Sequence, residues 1–324
     1  LVVAGVSVAF ALQSPPSEGR STDVTALGTG VTLLSGSEEG EHSPVEAAAL
    51  TGPLPADAGE EDYPQVETDA LAESLPADAG EGGYSQVEAA ALAGPLPADA
   101  KDVYVPVLMY HYVDDEPPPA GPYADGLTVR TPDFVEELEY LAANGFETIG
   151  LDDAYLAMAG LRELPAKPVI LTFDDGGLDN YTVAFPLLTE YGFKGTFFVI
   201  TKTVGREGQM DWDQLREMVA AGMAVQSHTV SHPDLTGVSA ERLQAELSDS
   251  RTAISEATGE VGYALCYPVG SYDDTVIAAA RAAGYVVAVA TDSGAPLGPD
   301  SLFTIKRKRV QPFLPISTFA RLVE

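Results

Sequence analysis

The sequence predicts an α/β fold in which parallel strands close into a (β/α)7-type barrel, preceded by a long acidic segment with no core of its own. Three observations carry this. From about residue 102, short continuous apolar runs alternate with stretches of helical periodicity, the pattern of strands buried on both faces and covered by helices. About seven such units occupy some 220 residues, which favours a closed barrel over an open sheet. The residues able to do chemistry fall at the carboxyl ends of the apolar runs, where barrels of this kind place their sites.

The elements follow in order. VYVPVLMYH (103–111) reads as a buried strand. TPDFVEELEYLAANG (131–145) reads as a helix with Thr131 as N-cap, Pro132 in the first turn, Phe134, Leu138 and Leu141 on one face, and Gly145 as the stop. Strand FETIGL (146–151), a short helix near 152–160 and strand KPVILTFDD (167–175) come next. A helix around 180–191 leads to strand KGTFFVI (194–200). DWDQLREMVAAG (211–222) is helical, MAVQSHT (223–229) a strand, and SAERLQAELSDSRTAISEATG (239–259) a long helix. Strand YALCYP (263–268), helix 272–283, strands YVVAVAT (285–291) and FTIKRKRV (303–310), and helix ISTFARLVE (316–324) complete the alternation.

The chain has 324 residues and a formal charge of −32. Such a charge excludes a nucleic-acid partner, whose phosphates it would repel. Half of it, −16, lies in residues 1–100, which hold seventeen acids and one base, Arg20. Residues 13–101 are rich in Ala, Gly, Pro, Ser, Asp and Glu, and within them a 21-residue repeat runs as PLPADAGEEDYPQVE from Pro53, SLPADAGEGGYSQVE from Ser74 and PLPADAKDVY from Pro95. Each copy has too few large apolar residues to offset chain entropy, so the segment reads as a disordered acidic linker rather than a solenoid. Residues 1–12, LVVAGVSVAFAL, are too short to span a bilayer and read as the end of a signal-peptide core or membrane anchor. The expectation is an exported or cell-surface protein tethered through its N-terminus, with residues 102–324 as a monomeric catalytic domain. The lone Cys266 excludes an internal disulfide.

Two motifs carry the chemistry. LTFDDGG (171–177) sets Asp174 and Asp175 at the end of an apolar run, and SHTVSHPDL (227–235) sets His228 and His232 four apart. One Asp and two His with a spare carboxylate suit a catalytic metal that keeps a position open for water. Taken singly, Asp-Asp-Gly is ordinary turn chemistry and the histidines could be polar loop residues. Their joint occurrence at two strand ends favours the metal.

From about 103 to 310 the chain resembles the polysaccharide deacetylases of carbohydrate esterase family 4, the NodB-homology domain. LTFDDG (171–176), GTFFV (195–199), SHTVSHPDL (227–235) and YPVG (267–270) carry the resemblance, with weaker echoes in PVLMYH (106–111), DWDQL (211–215) and AGY (283–285). It implies a distorted barrel holding one divalent metal, usually zinc, on Asp175, His228 and His232, with Asp174 as general base. It also implies that YPVG walls the substrate groove through Tyr267, Pro268 and Gly270, and that the backbone N–H of Val269 helps hold the oxyanion.

The chain departs from the family pattern in three places. No histidine follows His232, the arginine expected at 266 is Cys266, and Trp212 is the only tryptophan. The subgroup acting on poly-β-1,6-N-acetylglucosamine places the acid at the end of the first strand, which here is His111; the alternative is a buried histidine bonded to backbone. Arg307 and Arg309 are candidates to steady Asp174. They share a face of a regular strand, so both point inward or both outward. Cys266 reads as a small apolar filler more readily than as a thiolate ligand. Tyr112 and Tyr123, in and beside the loop 114–126, are available to stack on sugar faces.

The implied activity is metal-dependent removal of N-acetyl groups from a polysaccharide: poly-β-1,6-N-acetylglucosamine, peptidoglycan or a chitin-like polymer. The alternatives are an O-acetyl esterase on xylan or another glycan, and a non-catalytic glycan-binding descendant. A glycosidase using Asp174 and Asp175 is disfavoured, because adjacent acids do not straddle a glycosidic bond at about 5 Å or more.

Overall fold

In the computed structural model the described residues are 86–92, 94–115, 124–292, 294 and 297–324, all within one compact unit, Ala70–Glu324. The expectations for residues 1–12, for residues 13–85 of the linker and for Tyr123 lie outside them.

The strands are β1 Val107–Tyr110, β2 Tyr112–Val113, β3 Thr128–Val129, β4 Glu147–Thr148, β5 Pro168–Phe173, β6 Thr196–Val199, β7 Ala224–Ser227, β8 Ala264–Cys266, β9 Val287–Val289 and β10 Lys308–Arg309. The helices are α1 Gln86–Leu92, α2 Ala124–Leu127, α3 Thr131–Ala143, α4 Leu151–Met158, α5 Phe185–Glu190, α6 Trp212–Ala220, α7 Ala240–Thr258, α8 Asp274–Ala282 and α9 Ile316–Val323. The main sheet runs β10-β1-β5-β6-β7-β8-β9 with every pairing parallel, and β4 joins beside β5. The pair β2–β3 stands apart.

The ring closes irregularly. Residues 303–310, expected as one strand, pair regularly only at Lys308 and Arg309, which register with Leu108 and Met109 of β1. Ahead of that, the segment binds β9: Ile305 N donates to Ala288 O (3.1 Å), Ala290 N to Ile305 O (2.8 Å), and Arg307 N to Asp292 O (2.8 Å). One stretch of backbone thus serves β9 first and β1 next, and the barrel is distorted there.

Strand side chains alternate between two buried layers. Leu171, Phe173, Phe197, Val199 and Val225 join α3, α6 and α9 residues in one cluster, while Ile170 and Phe198 lie in the other with α4, α7 and α8 residues; β8 does not alternate, with Ala264, Leu265 and Cys266 all in the second cluster. Phe173 stacks between Tyr110 (5.1 Å) and Phe197 (4.7 Å). Rings of this size each contribute about 1.5–3 kcal/mol through burial, so the sheet is rigid next to its chemistry.

The helix ends follow local chemistry. Asp211 and Gln214 form a reciprocal cap on α6 (2.9 and 2.8 Å). Ser239 caps α7 and Asp273 caps α8. In α3 the cap falls one residue earlier than expected, at Arg130, and no side chain fills it; Arg130 instead pairs with Asp133 across the first turn. Before α5, Asn180–Ala184 winds as a π-helical turn.

The folded unit starts earlier than residue 102. Residues 86–92, expected as linker, form α1 and bury Leu92 to 1% exposure. Among the described residues no helix is long and apolar enough to cross a membrane.

Candidate active site

Strand β5 ends at Phe173, and the next two residues diverge. Asp174 stays in line, its N–H donating to Tyr110 O at 3.0 Å. Asp175 turns into the left-handed region at φ 74°, and Gly176 follows at the same φ. This double turn breaks the two-residue alternation and leaves both carboxylates near His228. A non-glycine residue there costs about 1–3 kcal/mol. Gln209 holds it: with its amide nitrogen facing the loop, it donates to Asp175 O (2.9 Å) and Gly176 O (3.2 Å).

The histidines are fixed separately. His228 leaves the end of β7 with its N–H on Val199 O (2.9 Å). Its Nδ1 lies 2.9 Å from Cys266 O; donation there leaves the Nε2 lone pair directed at Asp175. His232 sits in the turn beyond, at φ 57°, with its N–H on Thr229 Oγ1 (3.0 Å). Neighbouring Ser231 N donates to Glu246 Oε2 on α7 (2.8 Å). The two rings meet edge to face at 4.6 Å. Burial pushes His232 down to about 4, so it is a neutral imidazole able to donate a lone pair.

Asp175 Oδ1 lies 3.5 Å from His228 Nε2 and 3.9 Å from His232 Nε2. Among the described residues these three offer ligand atoms within 4.8 Å of one another. The separations are long for hydrogen bonds. They suit donors arranged around one ion with bonds of about 2.0–2.2 Å, whose tetrahedral edges are about 3.4 Å. The donor set of two imidazoles and a carboxylate therefore fits a divalent ion. Asp174, His228 and Cys266 also lie together, but Asp174 is occupied by Arg307, and burial pushes the Cys266 thiol up, away from the thiolate a metal needs.

Asp174 is gripped at both oxygens. Arg307 Nη1 donates to Oδ1 at 2.7 Å and Nη2 to Oδ2 at 2.8 Å. Arg307 is fully buried, and its remaining donors reach Ala290 O (2.9 Å), Thr172 Oγ1 (3.0 Å) and Cys266 Sγ (3.2 Å). Burial would raise the Asp174 pKa, but the guanidinium holds it well below the usual carboxylate range. The two arginines do not share a face: Arg309 is exposed, because the segment passes from β9 to β1 between them. The guanidinium fills the space beside Cys266, where the family's usual arginine would start.

His111 follows β1. Its Nε2 lies 3.9 Å from Asp174 Oδ2, and its carbonyl accepts from Asn180 Nδ2 (2.9 Å) in the π-helical turn. Burial lowers its pKa against the pull of Asp174 and Asp175, so the resting imidazole is neutral.

Several expectations are corrected. Tyr112 donates to Asp175 Oδ2 (3.3 Å), so its hydroxyl supports the carboxylate. Tyr267 is fully buried with its hydroxyl on Phe303 O (3.1 Å), and Pro268 is buried too. Of YPVG, the exposed point is Val269, 63% accessible at φ 52°. Its amide lies in a first helical turn, where N–H groups lack intrahelical partners. Gly270 is required by packing, since a Cβ would meet Thr291 Oγ1 at 2.1 Å. Gln209, Asn180 and Glu246 were missed. Glu246 left a trace: it falls on the stripe of α7 that buries Leu243, Leu247, Ser250 and Ile254, an odd place for a charge. Gln209 left none.

Comparison with known proteins agrees with this architecture. A family model described as polysaccharide deacetylase matches residues 162–288. YxkH of Bacillus subtilis (strain 168), assigned to the polysaccharide deacetylases, is 31% identical over 224 residues, covering 69% of this chain and 77% of that one. The structure of the Streptococcus pyogenes deacetylase PplD, solved with acetate, superposes with a TM-score of 0.64 at 30% identity over 69% of this chain and 99% of that one. The poly-β-1,6-N-acetyl-D-glucosamine N-deacetylase of Escherichia coli (strain K12) is 29% identical over 140 residues, covering 38% of this chain and 20% of that one. The chain belongs to the polysaccharide deacetylase family, hydrolases that cleave N-acetyl amide bonds.

Proposed function

We propose that the chain removes N-acetyl groups from poly-β-1,6-N-acetylglucosamine at the cell surface, using one zinc ion on Asp175, His228 and His232. The observation that carries the reading is the convergence of those three donors beside a carboxylate gripped by Arg307. A divalent ion held there would activate water and polarise the acetyl carbonyl. Asp174 accepts a proton from the attacking water. In this reading the proton passes from Asp174 to His111 and on to the leaving amine, and the 3.9 Å between His111 Nε2 and Asp174 Oδ2 supports the pairing. The Val269 N–H supports the oxyanion, a contribution of about 3–4 kcal/mol for one such donor. The choice of polymer rests on His111 at the end of the first strand and on the similarity to the E. coli enzyme. Surface localisation rests on the acidic linker and apolar start of the chain.

Acetate release measured on poly-β-1,6-N-acetylglucosamine, chitin oligomers, peptidoglycan and acetylated xylan tests this. Fastest release from the first is expected, and release from acetylated xylan alone would contradict it. In the same assay His111→Ala should retain metal and lose about 10²–10⁴ in turnover; an unchanged rate would move the acid elsewhere.

A further inference from the structure

The turn that joins His228 to His232 is strained at two points. Thr229 and His232 lie in the left-handed region, at φ 67° and 57°. Each such non-glycine residue costs about 1–3 kcal/mol and persists only where its surroundings over-determine it. Backbone just past β6 supports the first half of the turn: Thr201 N donates to Thr229 O (3.2 Å) and Lys202 N to Val230 O (2.9 Å). Beyond Val230 the support comes from α7.

Arg242, Glu246 and Ser250 follow at i, i+4 spacing on α7 and form one stripe along it. Glu246 is 4% exposed and accepts from Ser231 twice, from N at 2.8 Å and from Oγ. Arg242, itself exposed, completes the contact, with Nη2 3.5 Å from Glu246 Oε1 and 3.4 Å from Ser231 Oγ. Ser250 Oγ lies 2.8 Å from Ser227 Oγ, which accepts from Thr229 N (3.0 Å). The stripe therefore grips the segment at Ser227 and again at Ser231. A carboxylate on the buried side of a helix carries a desolvation cost that an apolar residue would not, and here both of its oxygens serve the residue next to His232. The other two donors of the centre have separate supports, His228 on Val199 O and Cys266 O and Asp175 on Gln209.

We infer that Glu246 is a positioning residue for His232: its two bonds to Ser231 impose the left-handed turn independently of an ion and direct the imidazole at the point shared with Asp175 and His228. A donor preset in this way needs no ordering when it binds, which raises affinity. That the preset ring is a zinc ligand rests on the reading above; the preset turn does not.

Zinc affinity of the full chain, read by competition with a chelator, tests this together with amide exchange of the zinc-free chain. Glu246→Ala should weaken zinc about 10–100-fold, and Glu246→Gln, which keeps an acceptor for Ser231 N, should recover most of the loss. Ile254→Ala, about two turns further along the buried side of α7, should lower Tm and leave zinc affinity unchanged. Equal weakening by Ile254→Ala, or an unchanged affinity in Glu246→Ala, would overturn the inference. Were Glu246→Ala not to fold, Ser231→Ala removes one of the two bonds and should weaken zinc several-fold, with an unchanged affinity again overturning it. The His232 amide bonds to Thr229 Oγ1 and not to Glu246. In the zinc-free native chain it should be protected, and in Glu246→Ala it should exchange at least about tenfold faster, the effect of a lost support worth about 1.4 kcal/mol. A fast amide in the native chain, or equal rates in the two, would overturn the inference. A native chain that binds no zinc would contradict the metal centre alone, and the amide rates would still decide the role of Glu246.

Discussion

Asp174 and Asp175 are neighbours in the chain with different electrostatic surroundings. The guanidinium of Arg307 secures the first as an anion within a fully buried pair, while the second is aimed by a left-handed backbone at two imidazoles. Breaking a buried pair leaves one charge uncompensated, at a cost of about 3–5 kcal/mol. Arg307→Met should therefore destabilise the fold by about that amount in urea unfolding, and Arg307→Lys should fail to restore it because a point charge cannot replace the fork. A variant within about 0.5 kcal/mol of the native chain would remove Arg307 from this role. The clustering of Asp174 and Asp175 with His228 and of Asp175 with His232 was legible because these four lie in two short motifs. Arg307 was legible only as one of two candidates, since its direction depends on where the chain changes neighbour. Tyr267 was misplaced because a motif records identity, not exposure.

At the scale of elements, α3 carries an acid on its buried side. Glu137 is 2% exposed and accepts from Tyr110 Oη at 2.9 Å. Burial pushes its pKa from 4.5 up to about 8. The folded state therefore binds more protons than the unfolded state between those values, so this contribution to stability is full below about 4.5 and fades as pH rises toward about 8. Glu137→Gln should flatten the Tm profile across that window, removing at most about 1.4 kcal/mol per pH unit; an unchanged slope would place Glu137 among ordinary acids. Glu260, also raised to about 8 by burial, and Asp179, raised to about 6, contribute to the slope that remains. The apolar face of α3 was read correctly from Phe134, Leu138 and Leu141, and Glu137 escaped notice because it falls between them. Strand positions were legible too, but 303–310 was not, because backbone shared between β9 and β1 has no periodicity of its own.

At the scale of the molecule, the last of the repeats contributes to the folded part: Gln86–Leu92 is helical and Leu92 is buried. Ala-rich α1 has little apolar periodicity, so its role shows only in what it covers. Removing residues 1–85 should leave acetate release from soluble substrate unchanged. Removing 1–101 takes away buried Leu92 and the Glu88–Arg162 pair, and should cost about 2–5 kcal/mol, the range for truncating a buried leucine. Equal Tm for the two truncations would return 86–101 to the linker.

The zinc content of the native chain and of Asp175→Ala, measured side by side after dialysis against trace metal, bears most directly on the proposed centre. The native chain should hold one equivalent and the variant almost none. A full equivalent on Asp175→Ala would place the ion elsewhere and contradict the assignment of Asp175, His228 and His232.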